Sequence, residues 1–493
     1  MTPPRMRSAC ALAALSGALY TTAEPGVGLW PLAFVCLAPL ALALCGRDAR
    51  QRAGLGWLMG TTAALGTIGP TVYASATLFF GLGPPAALLL VLAVGQLFAA
   101  LPIALFAWLA GDPLGAGPLR SALRLACAWT AQELLRTLCG LPWAFLAHAL
   151  APVPALLQAA GLGGAFLVSF WLAAWNAALG IALATRSPRP ALATAGAVAA
   201  LVGAHAVASA TAPPASGPTL RARLVQPQVP EAWRGSPAGV HQSLDRLAEL
   251  TRGDPVDLAV WPENAVSVLL PVNDLPLERG LRGVGDSAAW IVLGAPRVAP
   301  DRRFRNSAFL VSPRGGIAAV HDKVHLVPFA EALPLSARWL GLHDPGYVPG
   351  DRPSVLSAGA ARLGPLVCYE VIFPELARDL VRQGANVLVN VSNDYWLGGP
   401  GGGEQHLAAA VLRAVEVARP LLRATNTGIT AAIDARGRIL ARLPRGVPEA
   451  ATVTVQLSEG LTLYARTGDA FAWLAAAAAV LASALEQVRR APR

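Results

Sequence analysis

The sequence is poor in charge, and above all in lysine. Only 14% of its 493 residues are charged, against about a quarter in soluble domains, while 54% are hydrophobic. The mean hydropathy of +0.49 excludes an ordinary soluble globule and a disordered chain, and it predicts that lipid covers much of the surface. Among 39 basic residues there is one lysine, Lys323, and the other 38 are arginine.

Cysteine is almost absent from the polar part of the chain. Five of the six cysteines lie in apolar runs, namely Cys10, Cys36, Cys45, Cys127 and Cys139. Cys368 is therefore alone among polar residues, with no partner for a disulfide. A disulfide framework needs paired cysteines in a secreted domain, so the sequence argues against one and predicts a free thiol at position 368.

The apolar residues are gathered in long runs. A helix needs about 20 apolar residues to cross the roughly 30 Å of hydrocarbon in a bilayer. Eight candidate spans meet or approach this length: residues 8–22, 26–45, 56–80, 84–110, 123–148, 158–184, 189–210 and 469–486. The first is short and follows Arg5 and Arg7, so it is also compatible with a signal peptide.

The arginines alternate between the predicted loops. Twelve lie before the first span or after the second, fourth, sixth and eighth: Arg5, Arg7, Arg47, Arg50, Arg52, Arg120, Arg124, Arg186, Arg189, Arg489, Arg490 and Arg493. The intervening loops, near residues 23–25, 81–84 and 149–155, contain none. Positive charge near membrane ends stays in the cytoplasm, so both termini are expected there. This topology accounts for much of the formal charge of +10 and argues against a nucleic-acid partner.

Between the seventh and eighth spans lies a long polar stretch with nearly all the acidic residues. Short β-rich runs recur in it at residues 220–226, 258–261, 290–294, 307–311, 366–369, 387–391, 428–433 and 452–455, with helical patterns at 241–251, 376–383 and 404–418. Alternating strands and helices predict a layered α/β domain. The expected domains are a seven-span bundle at 1–210, a linker at 211–218, the α/β domain at 219–466, and a last span with its tail at 467–493.

Three side chains in the α/β stretch have the chemistry of acyl transfer. Cys368 ends one apolar run, and Glu263 follows another directly after Pro262. A thiolate attacks acyl carbonyls, but it needs a base for its proton and a cation or donors for the oxyanion. A buried inert thiol and a surface carboxylate are the ordinary alternatives. For Lys323 the ordinary alternative is a solvated charge, which this arginine-rich chain would be expected to supply as arginine.

Two histidines, His321 and His325, flank Lys323 at a spacing of four residues. Such a pair can bind a metal ion on a helix, but no third ligand stands at the spacing that a zinc helix requires. Structural roles are therefore favoured for both histidines. The sequence predicts neither a metal nor a cofactor.

Two other features each have two interpretations. Glu133 and Arg136 lie three residues apart in the fifth predicted span, where unpaired charge is costly. An internal ion pair is favoured over contact with a lipid headgroup. The glycine-rich residues 398–403 are compatible with a flexible lid or with a surface turn.

Five short motifs in order resemble the Glu-Lys-Cys pattern of the nitrilase, or carbon-nitrogen hydrolase, superfamily. They are residues 261–263 (Trp-Pro-Glu), Lys323 with Glu331, residues 368–370 (Cys-Tyr-Glu), residues 390–394 (Asn-Val-Ser-Asn-Asp) and residues 423–428 (Arg-Ala-Thr-Asn-Thr-Gly). Seven predicted spans before this region and one after it resemble one branch of the superfamily, the apolipoprotein N-acyltransferases of bacterial inner membranes. The resemblance covers essentially the whole chain.

The resemblance implies an integral membrane α-helical bundle of eight spans with a periplasmic, nitrilase-like αββα sandwich. It also implies a two-step acyl transfer through a thioester. Cys368 would take the acyl group from a membrane glycerophospholipid, typically phosphatidylethanolamine, and the α-amine of a diacylglyceryl cysteine at a lipoprotein's N-terminus would then receive it. Glu263 would act as base and then acid, and Lys323 would hold the oxyanion.

The same resemblance assigns supporting roles to four further residues. Glu331 is a second essential carboxylate that positions the site, Tyr369 and Glu370 flank the nucleophile, and Trp233 is an aromatic residue that handles lipid.

Other functions would explain parts of this sequence. A membrane-tethered amidase that passes its acyl group to water would use the same three residues, so the sequence leaves it open. A transporter would need ionisable residues along a path through the spans, which are nearly bare beyond Glu133, Arg136 and His148. A sensor or scaffold built on an inactive enzyme domain would lack a catalytic member, and none is missing here.

Overall fold

The computed structural model of the chain describes residues 5–189, 192–194, 196–197, 199–200, 203, 217–233, 236–267, 269–270, 275–312, 316–328, 330–332 and 346–490. The seventh predicted span, 189–210, and the predicted linker, 211–218, lie largely outside the described residues. The chain divides into two compact units. A helical unit comprises residues 1–212, 397–412 and 467–493, and an α/β unit comprises residues 213–396 and 413–466.

The helical unit consists of helices joined by short turns. Its described helices are α1 (Met6–Ala23), α2 (Ala38–Leu44), α3 (Ala49–Thr67), α4 (Gly69–Phe80), α5 (Pro84–Gly95), α6 (Leu101–Leu109), α7 (Pro118–Leu138) and α8 (Ala160–Thr185), with Ala470–Arg490 near the C-terminus. A π-helical turn, Gln96–Ala100, joins α5 to α6. Three of the described helices are long and apolar enough to cross a membrane: Pro84–Leu109, Ala160–Thr185 and Ala470–Val488.

Several predicted spans are interrupted, among them 26–45, which consists of a 3₁₀ helix and a short α-helix. The helix expected over 123–148 ends at Leu138, because Gly140 takes a left-handed conformation (φ 80°) and Pro142 cannot continue the hydrogen bonding. A short 3₁₀ helix, Leu146–Leu150, follows. The segment expected over 56–80 breaks at Ile68, two residues before Pro70. Gly and Pro are compatible with an apolar composition, so hydropathy alone did not reveal these breaks.

The buried charges of α7 bond to neighbours other than each other. One carboxylate oxygen of Glu133 accepts hydrogen bonds from the indole of Trp129 (3.0 Å) and from the backbone N–H of Leu146 (2.9 Å). The guanidinium of Arg136 donates to the carbonyl of Trp143. Instead of the favoured ion pair, these bonds tie α7 to the irregular segment that follows it.

The α/β unit contains two six-stranded sheets. The first has the order β12-β1-β2-β3-β4-β5 and the second has the order β11-β10-β9-β8-β7-β6. The strands are β1 (Thr219–Gln226), β2 (Val256–Val260), β3 (Ala288–Val298), β4 (Phe304–Ser312), β5 (Gly316–Asp322), β6 (Leu356–Ala358), β7 (Ala361–Val367), β8 (Val387–Ser392), β9 (Leu421–Thr425), β10 (Ala431–Ile433), β11 (Ile439–Arg442) and β12 (Glu449–Gln456). In each sheet the three central strands are parallel, β1-β2-β3 and β7-β8-β9, and the outer strands are antiparallel.

The two sheets share one apolar core. Side chains such as Leu224 and Val260 from the first sheet pack with Val389 and Leu422 from the second, and all are fully buried. On the other face of the first sheet, the helix α9 (Pro237–Thr251) and the helix α10 (Leu275–Arg282) form a second cluster. The helices α11 (Pro374–Arg382) and α12 (Pro400–Val417) follow strands of the second sheet, and α13 (Leu463–Thr467) and α14 (Ala470–Arg490) complete the described helices. The layered α/β fold is thereby confirmed.

The glycine-rich residues 398–403 are partly helical, because α12 begins at Pro400, four residues before the predicted start. Proline is favoured in the first helical turn, where its missing N–H costs nothing. Residues 397–412 belong to the helical unit, and there the side chain of Gln405 accepts a hydrogen bond from the indole of Trp143 (2.6 Å). The lid remains a prediction.

Candidate active site

Glu263 lies just beyond the carboxyl end of β2, at the edge where parallel strands deliver functional side chains. Its neighbour Trp261 is fully buried and donates its indole N–H to the hydroxyl of Thr251 (2.8 Å), which fixes the turn. Gly294 on the adjacent β3 leaves room for it, since a Cβ there would lie 2.5 Å from the Cα of Glu263. The carboxylate is thus held at 4% exposure by a turn that tolerates little movement.

Three donors converge on the carboxylate of Glu263. Oε1 accepts from the side-chain amide of Asn306 (2.7 Å) and lies 3.4 Å from Nζ of Lys323, while Oε2 accepts the backbone N–H of Asn393 (3.0 Å). A buried carboxylate needs such partners to satisfy its oxygens. The arrangement therefore orients a carboxylate that is able to accept a proton.

Lys323 follows β5 and is only 1% exposed. Its Nζ lies 2.9 Å from the carboxylate of Glu331 and 3.4 Å from that of Glu263. Burial would lower the pKa of Lys323, but the carboxylates of Glu331 and Glu263 raise it above its ordinary value. The side chain is therefore an ammonium at neutral pH, with a compact positive charge inside the site.

Cys368 directly follows the strand β7 and begins a 3₁₀ turn, Cys368–Ile372. Its backbone is left-handed (φ 52°), a conformation that non-glycine residues adopt rarely and that clusters at functional sites. The side-chain amide of Asn390 on β8 donates to the carbonyls of Leu366 (2.7 Å) and Cys368 (3.4 Å), which fixes this sharp turn. The sulfur accepts a hydrogen bond from the indole N–H of Trp396 (3.4 Å).

The thiol is coupled to both charged groups. Burial, and after it the carboxylate of Glu263, raise the pKa of Cys368, the ammonium of Lys323 opposes them, and the net pKa is about 12. The thiol is 1% exposed and protonated at neutral pH. It becomes a nucleophile only when a base removes its proton, and the buried carboxylate of Glu263 acts on it more strongly than that of Asp394.

Two of the predicted supporting residues hold the site together. Glu331 accepts hydrogen bonds from Asn306 (2.7 Å) and from the backbone N–H of Val327 (2.7 Å) in addition to its contact with Lys323. Glu370 is fully buried, and it accepts from the backbone N–H groups of Val324 (2.6 Å) and Val367 (2.7 Å). Glu370 thus links the segment after Lys323 to the strand that carries Cys368.

Glu370 is charged despite its burial. Burial would raise the pKa of Glu370, but hydrogen bonds from His321, Val367 and Val324 lower it below its ordinary value. His321 lies 3.4 Å from this carboxylate and accepts from the backbone N–H of Ser354 (3.2 Å). His325 stacks on Phe373, with 4.1 Å between the ring centroids. The two histidines therefore have structural partners.

The two aromatic predictions have different outcomes. Tyr369 lies beside Cys368, and its ring packs edge-to-face with those of Phe373 and Trp396, with 5.0 Å and 6.1 Å between the ring centroids. Trp233 is half-buried, and the guanidinium of Arg246 lies over its ring at 4.6 Å. Within the described part of the chain, no contact joins Trp233 to the cluster around Cys368.

Three contributors were not identified from sequence: Asn306, Asn393 and Trp396. Asn306 lies on β4 and bridges both carboxylates, but a lone amide in a strand carries no distinctive pattern. Asn393 belongs to the motif at 390–394 and contributes its backbone N–H, which no residue type reveals. Trp396 lies two residues after that motif, and this proximity is the one sequence feature that could have indicated a role for it.

Most of this chain is similar to known proteins. The model of the carbon-nitrogen hydrolase family matches residues 221–462, and that of the apolipoprotein N-acyltransferase N-terminal domain matches residues 16–178. An apolipoprotein N-acyltransferase of Geobacter metallireducens is 34% identical over 96% of this chain and 94% of its own length. That of Azotobacter vinelandii is 35% identical over 97% and 95%. A solved amidase from Nesterenkonia sp. is 22% identical, covers 51% of this chain and 94% of its own, and has a TM-score of 0.38.

Proposed function

This chain belongs to the apolipoprotein N-acyltransferase family, and from that premise we propose that it transfers an acyl group from a membrane phospholipid to the N-terminal amine of a bacterial lipoprotein. The proposed acyl donor is a glycerophospholipid, typically phosphatidylethanolamine. The acceptor is the diacylglyceryl cysteine of an apolipoprotein. The reaction is a two-step, ping-pong transfer through a thioester on Cys368.

One observation carries this proposal: a buried thiol lies within electrostatic reach of a buried carboxylate and a buried ammonium. Lys323 contacts Glu263 directly at 3.4 Å, and the charges of both act on Cys368. These are the nucleophile, base and oxyanion partner that acyl transfer requires. Their burial favours transfer over hydrolysis, since excluded water cannot attack a thioester.

In the first half-reaction Glu263 takes the proton of Cys368, and the thiolate attacks the ester carbonyl. A sulfur–carbon bond forms, and the ammonium of Lys323 stabilises the negative oxygen. The carbon–oxygen bond then breaks, and Glu263 returns its proton to the departing alkoxide. The products are a lysophospholipid and an acylated Cys368.

In the second half-reaction the neutral amine of the acceptor attacks the thioester. Glu263 takes a proton from the nitrogen, Lys323 again stabilises the oxygen, and the carbon–sulfur bond breaks. The thiolate of Cys368 recovers a proton from Glu263. The lipoprotein leaves with an amide, and the site is restored.

The supporting residues act through these three. Glu331 forms an ion pair with Lys323 and fixes its position, and Glu370 fixes the end of the strand that precedes Cys368. We assign Tyr369 to the wall beside the sulfur, and Trp233 to contact with lipid through its half-buried ring.

Membrane attachment follows from the substrates. Each methylene of an acyl chain costs about 0.8 kcal/mol to transfer to water, so neither lipid leaves the bilayer readily. We propose a multi-pass protein of the bacterial inner membrane with eight spans, cytoplasmic termini and a periplasmic catalytic domain. Its domains are a seven-span bundle at 1–210, a linker at 211–218, the catalytic domain at 219–466 and a last span with its tail at 467–493.

Product analysis separates transfer from hydrolysis. The purified protein is incubated with phosphatidylethanolamine that is radiolabelled in its acyl chains, and with a diacylated peptide bearing an N-terminal cysteine. We expect label in an amide on the peptide, and no such product from the Cys368→Ser variant. Label recovered as free fatty acid, at equal rates with and without the peptide, would instead identify a membrane-tethered hydrolase.

A further inference from the structure

The sulfur of Cys368 has a neighbour that the proposed reaction does not yet use, the indole of Trp396. Nε1 of Trp396 lies 3.4 Å from Sγ of Cys368, a hydrogen-bonding distance for the large sulfur atom. An indole nitrogen is a donor only, so its N–H is directed at the sulfur and the sulfur accepts. The contact therefore favours negative charge on sulfur.

The donor is held in place before any reaction. Trp396 lies in the 3₁₀ turn Asp394–Leu397, which follows β8. Asp394 is fixed by an ion pair with the buried guanidinium of Arg423 (2.6 Å). The edge-to-face contact with Tyr369, with 6.1 Å between ring centroids, orients the indole itself. A donor fixed in advance costs no reorganisation when charge develops.

The hydroxyl of Ser392 is also within reach of the sulfur, but it differs from the indole. Ser392 forms a hydrogen bond with Cys368 and another with the carboxylate of Asp394 (2.7 Å). A hydroxyl has one hydrogen, and the carboxylate of Asp394 can only accept. The hydrogen bond of Ser392 lowers the pKa of Cys368, but the same hydroxyl hydrogen is directed to Asp394, so Ser392 divides it between two acceptors.

Resting on the proposed acyl transfer, we propose that Trp396 is a catalytic hydrogen-bond donor that stabilises the sulfur of Cys368 each time it carries negative charge. Sulfur is negative as the attacking thiolate and again as the leaving thiolate. The thioester sulfur between these two states is a poor acceptor. Trp396 therefore lowers both barriers without stabilising the intermediate equally, and it keeps its own proton throughout.

This role differs from that of Lys323. The charge of the ammonium lowers the pKa of Cys368, but its proposed partner in the reaction is the carbonyl oxygen, whereas the indole donates a hydrogen bond directly to the sulfur before any substrate is present. A variant that lacks the indole N–H is consequently expected to react more slowly even where no lipid is needed, as in the alkylation of Cys368 by iodoacetamide. Alkylation forms no oxyanion, so Lys323 can influence it only through the effect of its charge on the thiol.

The test compares three full-length variants with the wild type. Alkylation of Cys368 is followed from pH 7 to pH 10 by mass spectrometry of the peptide that contains it. Trp396→Phe keeps a ring but lacks the donor, and its alkylation should be about tenfold slower at each pH, the effect of one hydrogen bond to a charged group. Trp396→His, which retains a ring N–H, should recover part of the rate. Tyr395→Phe, the exposed neighbouring position, should match the wild type.

The result that would overturn the proposal is equally specific. If Trp396→Phe reacts as fast as the wild type or faster, or if Trp396→His reacts no faster than Trp396→Phe, then the indole N–H does not stabilise the thiolate. With lipid and acceptor present, Trp396→Phe should slow both formation and aminolysis of the thioester. Because alkylation needs neither substrate, its outcome separates this inference from the acyl-transfer proposal.

Discussion

At the residue scale, the position of the single lysine is the most informative feature of the chain. Arginine serves everywhere else, including exposed sites such as Arg438, but the site around Glu263 and Glu331 contains an ammonium that is 1% exposed. A guanidinium is larger and planar, and it delivers its charge through a fixed fork. A site closed around a compact charge has no room for it.

We therefore expect Lys323→Arg to be inactive although it keeps the charge. Loss of one oxyanion donor lowers the rate constant by about 100-fold or more. The rate of acyl transfer to the peptide measures this effect, and Arg438→Lys, at an exposed position, serves as the matched control with unchanged activity. A Lys323→Arg protein that retains more than half of the wild-type rate would show that compactness of the cation is immaterial.

The sequence predicted the members of this site better than the way they are held. Two of them, Cys368 and Glu263, stand out because they follow apolar runs. Lys323 stands out because it is the one lysine of the chain. Their catalytic roles remain predictions, and the structure adds the contacts that hold these side chains. Asn306 was missed since its role, bridging Glu263 and Glu331, exists only after two distant strands and a loop have come together.

At the element scale, the strands missed from sequence have identifiable reasons. β11 is largely exposed, β5 is mostly half-buried, and β6 has only three residues. β9 is fully buried, but it contains Arg423, whose charge interrupts the apolar run. That charge is satisfied by Asp394 and Asn390, residues that lie about 30 positions earlier in the chain. The local sequence pattern does not show that a buried charge is paired with residues far away in the chain.

The strand β5 is joined to its neighbours by a carboxylate that titrates in an accessible range. Asp322 accepts hydrogen bonds from Arg297 on β3 (2.6 Å) and from Arg305 (2.9 Å) and Ser307 (2.7 Å) on β4. Burial would raise the pKa of Asp322, but these donors lower it to about 2. The folded state thus favours the ionised form, and the stabilisation is present above the unfolded pKa of about 4 and is lost as the pH falls to about 2.

We expect Asp322→Asn to remove this pH dependence. Between pH 5 and pH 2 the free energy of unfolding of the wild type should fall by about 2 kcal/mol more than that of the variant. Thermal unfolding in detergent at several pH values measures the difference. Parallel pH profiles for the two proteins would mean that Asp322 has the same pKa in the folded and unfolded states.

At the scale of the whole molecule, hydropathy located helices but not their interruptions. Three described helices are long and apolar enough to cross a membrane, whereas the predicted span at 123–148 ends at Leu138. Short helices and turns there bring polar groups such as Glu133 and the backbone of Leu146 together. The number of spans and the side that holds the catalytic domain remain predictions, supported by the distribution of arginine.

Chemical labelling tests that topology. Arg50→Cys and Arg438→Cys, each combined with Cys139→Ser to remove the exposed native thiol, place a thiol on either predicted side. A membrane-impermeant maleimide should label position 438 in intact spheroplasts and position 50 only after the membrane is permeabilised. Labelling of position 50 in intact spheroplasts would invert the proposed orientation.

The central claim is that Cys368 carries the acyl group between two lipids. The most direct measurement is mass spectrometry of the purified full-length protein after incubation with phosphatidylethanolamine of a single acyl composition. We predict one fatty-acyl adduct, located on the peptide that contains Cys368, which disappears when the diacylated peptide is added and is absent from Cys368→Ser. Formation of the amide product by protein that never carries this adduct would contradict the account.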